Sequence, residues 1–187
     1  MFSQAFLLFL CLTILVLLFF VIRRTFQSFV KYRGLRVVTC PETKESVGVK
    51  VDAAYAALTS ITDTPDLRLK ACTRWPERHD CDQDCLLQIA ANPEGTLYWN
   101  MMVNWYEGKA CVYCATIFSK LEWSDRKTAL MDAQHNLCAW LDVLPQQLPN
   151  TLATHQPVCW NCYIAESFRR QHPDLVVDRN YRNLKLS

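Results

Sequence analysis

The hydrophobic positions are most densely clustered at the start of the chain, where residues 5–22 form eighteen consecutive uncharged residues. Leu, Phe, Ile and Val dominate this run. At about 1.5 Å per helical residue, it nearly matches the roughly 30 Å hydrocarbon core of a bilayer. No Lys or Arg precedes the run and no small-residue cleavage site follows it, which makes a cleaved signal peptide the weaker alternative. The pattern therefore predicts one transmembrane helix.

The segment after this run is basic, and no acidic residue occurs before residue 40. The positive-inside rule places such charges in the cytoplasm and the N-terminus outside. We therefore predict a single-pass protein of the cell membrane whose large C-terminal part is cytoplasmic. Thr25–Val38 is predicted to continue as a helix along the lipid headgroups, with Gly34 as its candidate end. The basic residues are Arg23, Arg24, Lys31, Arg33 and Arg36.

Beyond this anchor, assigned to residues 1–38, the hydrophobic pattern indicates a small α+β domain over residues 39–187. Val47–Val51 and Leu67–Cys72 alternate between apolar and polar residues, which predicts two strands that pair with each other. Residues 52–61 leave two alternatives open. Their four alanines favour a helix, whereas the spacing of the larger apolar residues also fits an extended hairpin.

Three further helices and a second hairpin complete the predicted fold. A helix starts near Asp82 and ends before Pro93, and Cys162–Gln171 forms the last one. Thr96–Glu107 is rich in Trp, Tyr and Met, so we predict a helix that faces either the core or a partner, with the core as the simpler interpretation. Between these helices, residues 128–143 are predicted to form a hairpin around a polar turn.

Charge excludes one class of function. Residues 40–187 carry fifteen Lys and Arg against eighteen Asp and Glu, a net charge of −3. A mildly acidic domain repels the phosphate backbone, so nucleic acid is not an expected ligand.

Cysteine spacing supplies the candidate chemistry. Cys111 and Cys114 form one C-x-x-C pair, and Cys159 and Cys162 form a second pair after forty-four intervening residues. Each pair can hold a metal ion from one side, and together they supply four sulfurs in a tetrahedron. In a reducing cytoplasm these thiols would not be held as disulfides, although the reverse orientation would favour disulfides.

These two pairs resemble the metal-binding knuckles of zinc-ribbon and treble-clef modules. The resemblance covers the two knuckles alone, and the intervening segment is longer than in compact ribbons. It implies a zinc-ribbon or treble-clef-like four-cysteine site that staples the domain. Zinc is the expected ion, and iron or an iron–sulfur cluster remains the alternative.

The remaining cysteines allow a second, less regular metal site. Its candidate ligands are Cys40, Cys72, Cys81 and Cys85, with His79 as a possible substitute. The alternative is that these are small buried residues or free thiols. Cys138, inside the predicted hairpin, is expected in the core. His155, four residues before the second C-x-x-C pair, is the histidine best placed to donate a hydrogen bond to a metal-bound thiolate.

No nucleophile elbow, phosphate-binding loop, dinucleotide fingerprint or zinc-protease motif occurs in the chain. We therefore predict a non-catalytic accessory or assembly subunit. It would dock on a larger membrane protein through its helix, the basic residues and the segment Trp99–Trp105. Two other classes stay open: an iron or iron–sulfur electron-transfer protein, and a membrane-tethered C-x-x-C thiol oxidoreductase.

Overall fold

The structure, a computed structural model, describes residues 2–61, 63–78, 80–119, 121 and 128–175. It has a mixed α+β fold, as predicted. The chain forms two compact units. The N-terminal unit comprises residues 1–102 and 144–149, and the C-terminal unit comprises residues 103–143 and 150–187.

The first element is the long helix α1, Phe2–Tyr32. Its length and composition suffice to cross a membrane, and it is the one such helix in the part of the chain that the structure describes. The apolar side chains from Phe6 to Ile22 are solvent-exposed along its surface.

The predicted helical continuation to Val38 is wrong beyond Tyr32. Gly34 adopts a positive φ of 104°, which a residue with a side chain rarely adopts, and the helix ends before it. The β-branched residues that follow favour an extended backbone and form strand β1, Leu35–Thr39.

Strand β1 belongs to an antiparallel sheet of the order β1-β2-β3. Strand β2 is Ser46–Val51 and β3 is Leu69–Cys72, so both predicted strands exist and pair with each other. The sheet's buried face supplies half of the buried core residues of the N-terminal unit. The buried residues that it contributes include Val38, Val47, Val49, Val51 and Leu69.

The ambiguous residues 52–61 contain the helix α2, Ala53–Thr59. Asp52 starts this helix by accepting a hydrogen bond from the Tyr55 backbone N–H (3.1 Å), as N-cap residues do. Small alanine side chains allow α2 to pack closely on the end of α1, where the Ser28 hydroxyl donates to the Ala56 carbonyl (3.2 Å). Helix α3, Leu86–Ala91, begins four residues later than the predicted Asp82 start.

Arg36 departs most clearly from its predicted place among the headgroup-facing basic residues. Its side chain is completely buried in the N-terminal unit. The guanidinium donates to the carbonyl oxygens of Lys31 and Pro93 and to the Thr96 hydroxyl (3.0 Å). Burial lowers the pKa of Arg36, and the nearby charge of Glu94 opposes this effect. Arg36 is therefore an internal cross-link between α1 and the segment after α3.

We expect Arg36→Met to destabilise the N-terminal unit by about 3 kcal/mol, because the carbonyl oxygens that it pairs would stay buried without a donor. Arg36→Lys should lose less, since an ammonium reaches some but not all of these acceptors. Urea unfolding of the detergent-solubilised chain measures the difference. Arg33→Met at an exposed position is the control, and equal midpoints for Arg36→Met and Arg33→Met would contradict this role.

The C-terminal unit contains a second antiparallel sheet, of the order β5-β4-β6. Its strands are β4 (Thr128–Met131), β5 (Leu137–Ala139) and β6 (Gln156–Cys159), and β4 and β5 form the predicted hairpin. The helix α6 (Trp160–Gln171) begins two residues before the predicted Cys162 start. Two further helices, α4 (Tyr98–Tyr106) and α5 (Leu148–Thr154), contribute their C-terminal residues to this unit.

The aromatic end of α4 faces the interior of the C-terminal unit. The Trp105 indole N–H donates to the Leu152 carbonyl (2.7 Å), and the Lys109 ammonium lies 3.5 Å from the centre of the Trp105 ring. Tyr106 is fully buried, and its hydroxyl donates to the Ala129 carbonyl (2.6 Å). These contacts favour the core-facing alternative over a docking role for this end of the segment Trp99–Trp105.

Candidate metal centre

The first cysteine pair lies at the tip of a tight hairpin. The Cys111 backbone N–H donates to the Thr116 carbonyl (2.9 Å), and the Ala115 N–H donates back to the Cys111 carbonyl (2.9 Å). Ala115 has a positive φ of 57°, which reverses the chain directly after Cys114. A turn of this kind brings two thiols separated by two residues close to each other.

The second pair lies where a strand meets a helix. Cys159 ends β6 and directly precedes α6, and Cys162 lies in the first turn of that helix. Unpaired backbone N–H groups give a helix N-terminus a partial positive charge, which stabilises thiolates there. The Val112 N–H donates to the Pro157 carbonyl (3.0 Å), so the first hairpin is bonded directly to β6.

The two pairs converge, as predicted, into one group that we call the C-x-x-C cluster: Cys111, Cys114, Cys159 and Cys162. Its four Sγ atoms all lie within 4.8 Å of one another, and the Sγ atoms of Cys114 and Cys159 are 3.7 Å apart. Zn–S bonds of about 2.3 Å in a tetrahedron place neighbouring sulfurs about 3.8 Å apart. A disulfide requires about 2.05 Å, and all ten cysteines are free thiols. The cluster can therefore hold a metal ion.

The electrostatics of the cluster also favour a cation. Hydrogen bonds from the side chain and backbone of Thr116 lower the pKa of the exposed Cys114 to about 6. Burial, followed by contacts with neighbouring cysteines, raises the pKa of Cys162, and burial is the main cause of a raised pKa at Cys159. Four thiolates at these distances repel one another, and a divalent cation removes that repulsion.

Four sulfurs fill every position of a tetrahedral ion, which leaves none for a substrate. A metal here would therefore be structural. The Nδ1 atom of His155 shares a hydrogen bond with the Thr154 hydroxyl (2.9 Å), and the donation from His155 to this cluster stays a prediction. Sequence reasoning missed Thr116, although a hydroxyl residue two positions after Cys114 was a readable signal.

The candidate second site lies in the N-terminal unit. Its four cysteines, which we call the N-terminal cysteine group, line one cavity of about 100 Å³: Cys40, Cys72, Cys81 and Cys85. Unlike the C-x-x-C cluster, they do not form a compact set, since within the described ranges no second group of potential metal ligands lies within 4.8 Å of one another. His79, the suggested substitute ligand, lies outside the described residues.

Fold and site together define an α+β protein with an N-terminal helix capable of crossing a membrane and a four-cysteine cluster capable of holding a metal ion. No protein-family model, no curated protein and no solved structure matches the chain. The function is therefore argued from the residues themselves.

Proposed function

We propose that this chain is a single-pass membrane protein whose cytoplasmic domain is held together by a structural zinc ion. It acts as a non-catalytic accessory or assembly subunit that binds a larger membrane protein. The observation that carries the proposal is the convergence of four sulfurs from two distant segments within 4.8 Å.

Zinc is the ion that this arrangement supports best. All four sulfurs lie within 4.8 Å of one another, a compact set that suits a single tetrahedral ion, and zinc is the usual occupant of a closed four-cysteine structural site. One pair lies on a hairpin tip and the other at the N-terminus of α6. This division of ligands is the one expected of a treble-clef-like site. The zinc ion would have a structural role because the β5-β4-β6 sheet is small. The ion would link this sheet and the first hairpin to α6.

The apolar surface of α1 supports the membrane assignment. Large side chains such as Phe9, Leu15 and Phe20 are more than half exposed. Exposing such apolar surface to water costs free energy, and burial of the helix in lipid removes that cost. The orientation with the C-terminal part in the cytoplasm rests on the basic residues after Ile22. A reducing compartment also agrees with the free thiols.

A protein partner is inferred from the part of α1 that lies beyond the bilayer core. Exposed apolar side chains continue past Arg23 and Arg24, at Phe26, Phe29 and Val30. An eighteen-residue span already fills a bilayer core of roughly 30 Å, so these three side chains lie near or above the headgroups. A partner that contacts α1 in the membrane could cover them as well.

One observation favours a second candidate, the thiol oxidoreductase. Cys114 is exposed, has a pKa of about 6 and lies 3.7 Å from the Cys159 sulfur. An accessible thiol with a lowered pKa and a neighbouring thiol is the arrangement of a redox-active pair. The alternatives differ in whether a metal shields Cys114.

Zinc analysis combined with alkylation separates the two candidates. In the purified full-length chain, kept reduced in detergent, we expect about one zinc ion bound to the C-x-x-C cluster. Maleimide should modify Cys114 slowly, and a zinc chelator should accelerate the reaction at least about tenfold. Cys114→Ser should lose this zinc, and Cys138→Ser should retain it. Rapid alkylation without chelation, in protein free of zinc, would support the oxidoreductase instead.

A further inference from the structure

The N-terminal cysteine group has the features of a second metal centre, independent of the function proposed above. Its members come from three places in the fold. Cys40 lies in the turn between β1 and β2, Cys72 ends β3, and Cys81 and Cys85 lie in the segment that leads into α3. All four line the same cavity. Of nine cysteines beyond the apolar run, only Cys138 lies outside the two groups.

Two glutamine side chains hold these segments around the cavity. Gln88 of α3 forms two hydrogen bonds with the backbone of Thr39, the residue before Cys40, at 3.0 and 2.6 Å. Gln83, located between Cys81 and Cys85, accepts from the backbone N–H of Leu69 in β3 (2.8 Å). The segment that carries two of the cysteines is thus fastened to β3, which carries Cys72, and to the end of β1, which directly precedes Cys40.

Cys85 belongs to the hydrophobic core of the N-terminal unit, and Cys40 and Cys72 pack against that core, but the cavity beside them is not a closed apolar environment. Cys40, Cys72 and Cys81 are each partly exposed, and Cys85 alone is buried. Charged side chains line the cavity beside them, including Arg74, Arg78 and Asp82. Packing against the core therefore does not by itself account for the charged and partly open surroundings of Cys40, Cys72 and Cys81.

Donors suited to thiolate sulfur surround the group. The Arg74 guanidinium donates to the Cys40 Sγ atom at 2.9 Å and also to a Glu42 carboxylate oxygen at 3.2 Å. Trp75 lines the same cavity, and its indole N–H is buried without a hydrogen-bond partner in the described part of the chain. A buried N–H normally has an acceptor, and metal-bound sulfur can supply one.

The spacing identifies the class of occupant. Sulfurs that bind one tetrahedral ion lie about 3.8 Å apart, as in the C-x-x-C cluster. Here the four cysteines do not form a compact metal-binding set among the described residues, and they line a cavity of about 100 Å³. A polynuclear iron–sulfur cluster is held by four cysteine thiolates around its own volume, with hydrogen bonds to the sulfurs. We propose that Cys40, Cys72, Cys81 and Cys85 bind an iron–sulfur cluster.

The test uses the full-length chain, produced in iron-replete cells and purified in detergent without oxygen. We expect iron and acid-labile sulfide in equal amounts, about two or four of each per chain. Visible absorption and a paramagnetic signal after reduction by dithionite should accompany them. Colourless protein with zinc at both sites, or protein that gains no visible absorption when supplied with ferrous iron, ferric iron and sulfide, would overturn the assignment.

Variants locate the cluster and separate this proposal from the zinc site. Cys72→Ser and Cys81→Ser should each lose at least about fivefold in iron and retain zinc. Cys114→Ser should lose zinc and retain iron. Iron that falls equally in Cys138→Ser would contradict the ligand assignment. Arg74→Ala keeps all four ligands, so it should retain iron but shift the paramagnetic signal. An unchanged signal would exclude the Arg74 contact with a cluster sulfur.

Discussion

Removal of the metal from the C-x-x-C cluster is expected to abolish the cooperative unfolding of the C-terminal unit. Binding of structural zinc contributes on the order of 10–16 kcal/mol in small zinc domains, whereas a whole domain is stable by about 5–15 kcal/mol. The metal term is therefore large enough to decide whether this unit folds. A zinc-selective chelator, added under reducing conditions, should remove the thermal transition seen by near-ultraviolet circular dichroism.

Two cysteine variants, one in the C-x-x-C cluster and one outside it, serve as controls for this experiment. Cys111→Ser should reproduce the effect of chelation, because it removes a buried ligand. Cys138→Ser should leave the transition within a few degrees of the wild type, since Cys138 lies in β5 apart from the cluster. Restoring zinc should restore the transition in the wild type but not in Cys111→Ser. An unchanged melting temperature after complete zinc removal would contradict a structural metal.

Two arginines in the middle of α1 are expected to prevent its insertion into a membrane. Each arginine near the centre of a transmembrane helix costs about 2.5–3.5 kcal/mol on insertion scales. The double variant Leu12→Arg, Leu15→Arg should therefore lose about 6 kcal/mol, which lowers the equilibrium constant for insertion about 10⁴-fold and with it the inserted fraction. Resistance of the membrane-bound protein to alkaline carbonate extraction measures that fraction.

Leu87→Arg is the matched control. Leu87 is also an exposed leucine, at 73% of its surface, but it lies in α3 and outside the apolar run. The control should remain as resistant to carbonate as the wild type. If the double variant also stays resistant, α1 is not what holds the chain in the membrane.

The convergence of the C-x-x-C cluster was predictable from local chemistry. A pair of cysteines separated by two residues forms a bidentate thiol unit almost regardless of context, and two such units strongly suggest one shared site. The hairpin of β4 and β5 was predictable for a similar reason, since short-range alternation and a polar turn specify it. The positive φ of Ala115 was not, because it depends on the exact path of the turn.

Predictions failed where a residue's role depends on distant partners. Arg36 follows four other basic residues and was assigned to the headgroups with them, yet the carbonyls of Lys31 and Pro93 draw it into the interior. For Trp105 the pattern left a core and a partner role open, and the hydrogen bond from its indole to the Leu152 carbonyl favours the core role. A charge or an aromatic ring is satisfied by whichever partner the fold brings near, and linear order does not reveal that partner.

Read alone, the amino-acid chain established the long apolar helix, the α+β character and the identity of eight cysteines in two candidate groups, because periodicity and ligand spacing are local properties. Folding alone decided how far apart the sulfurs of each group lie. In one group the turn at Cys111–Cys114 and the start of α6 bring them within 4.8 Å, whereas in the other they surround a cavity of about 100 Å³. That arrangement determines whether one ion or a larger cluster fits, since thiolates bind metals only at bonding range.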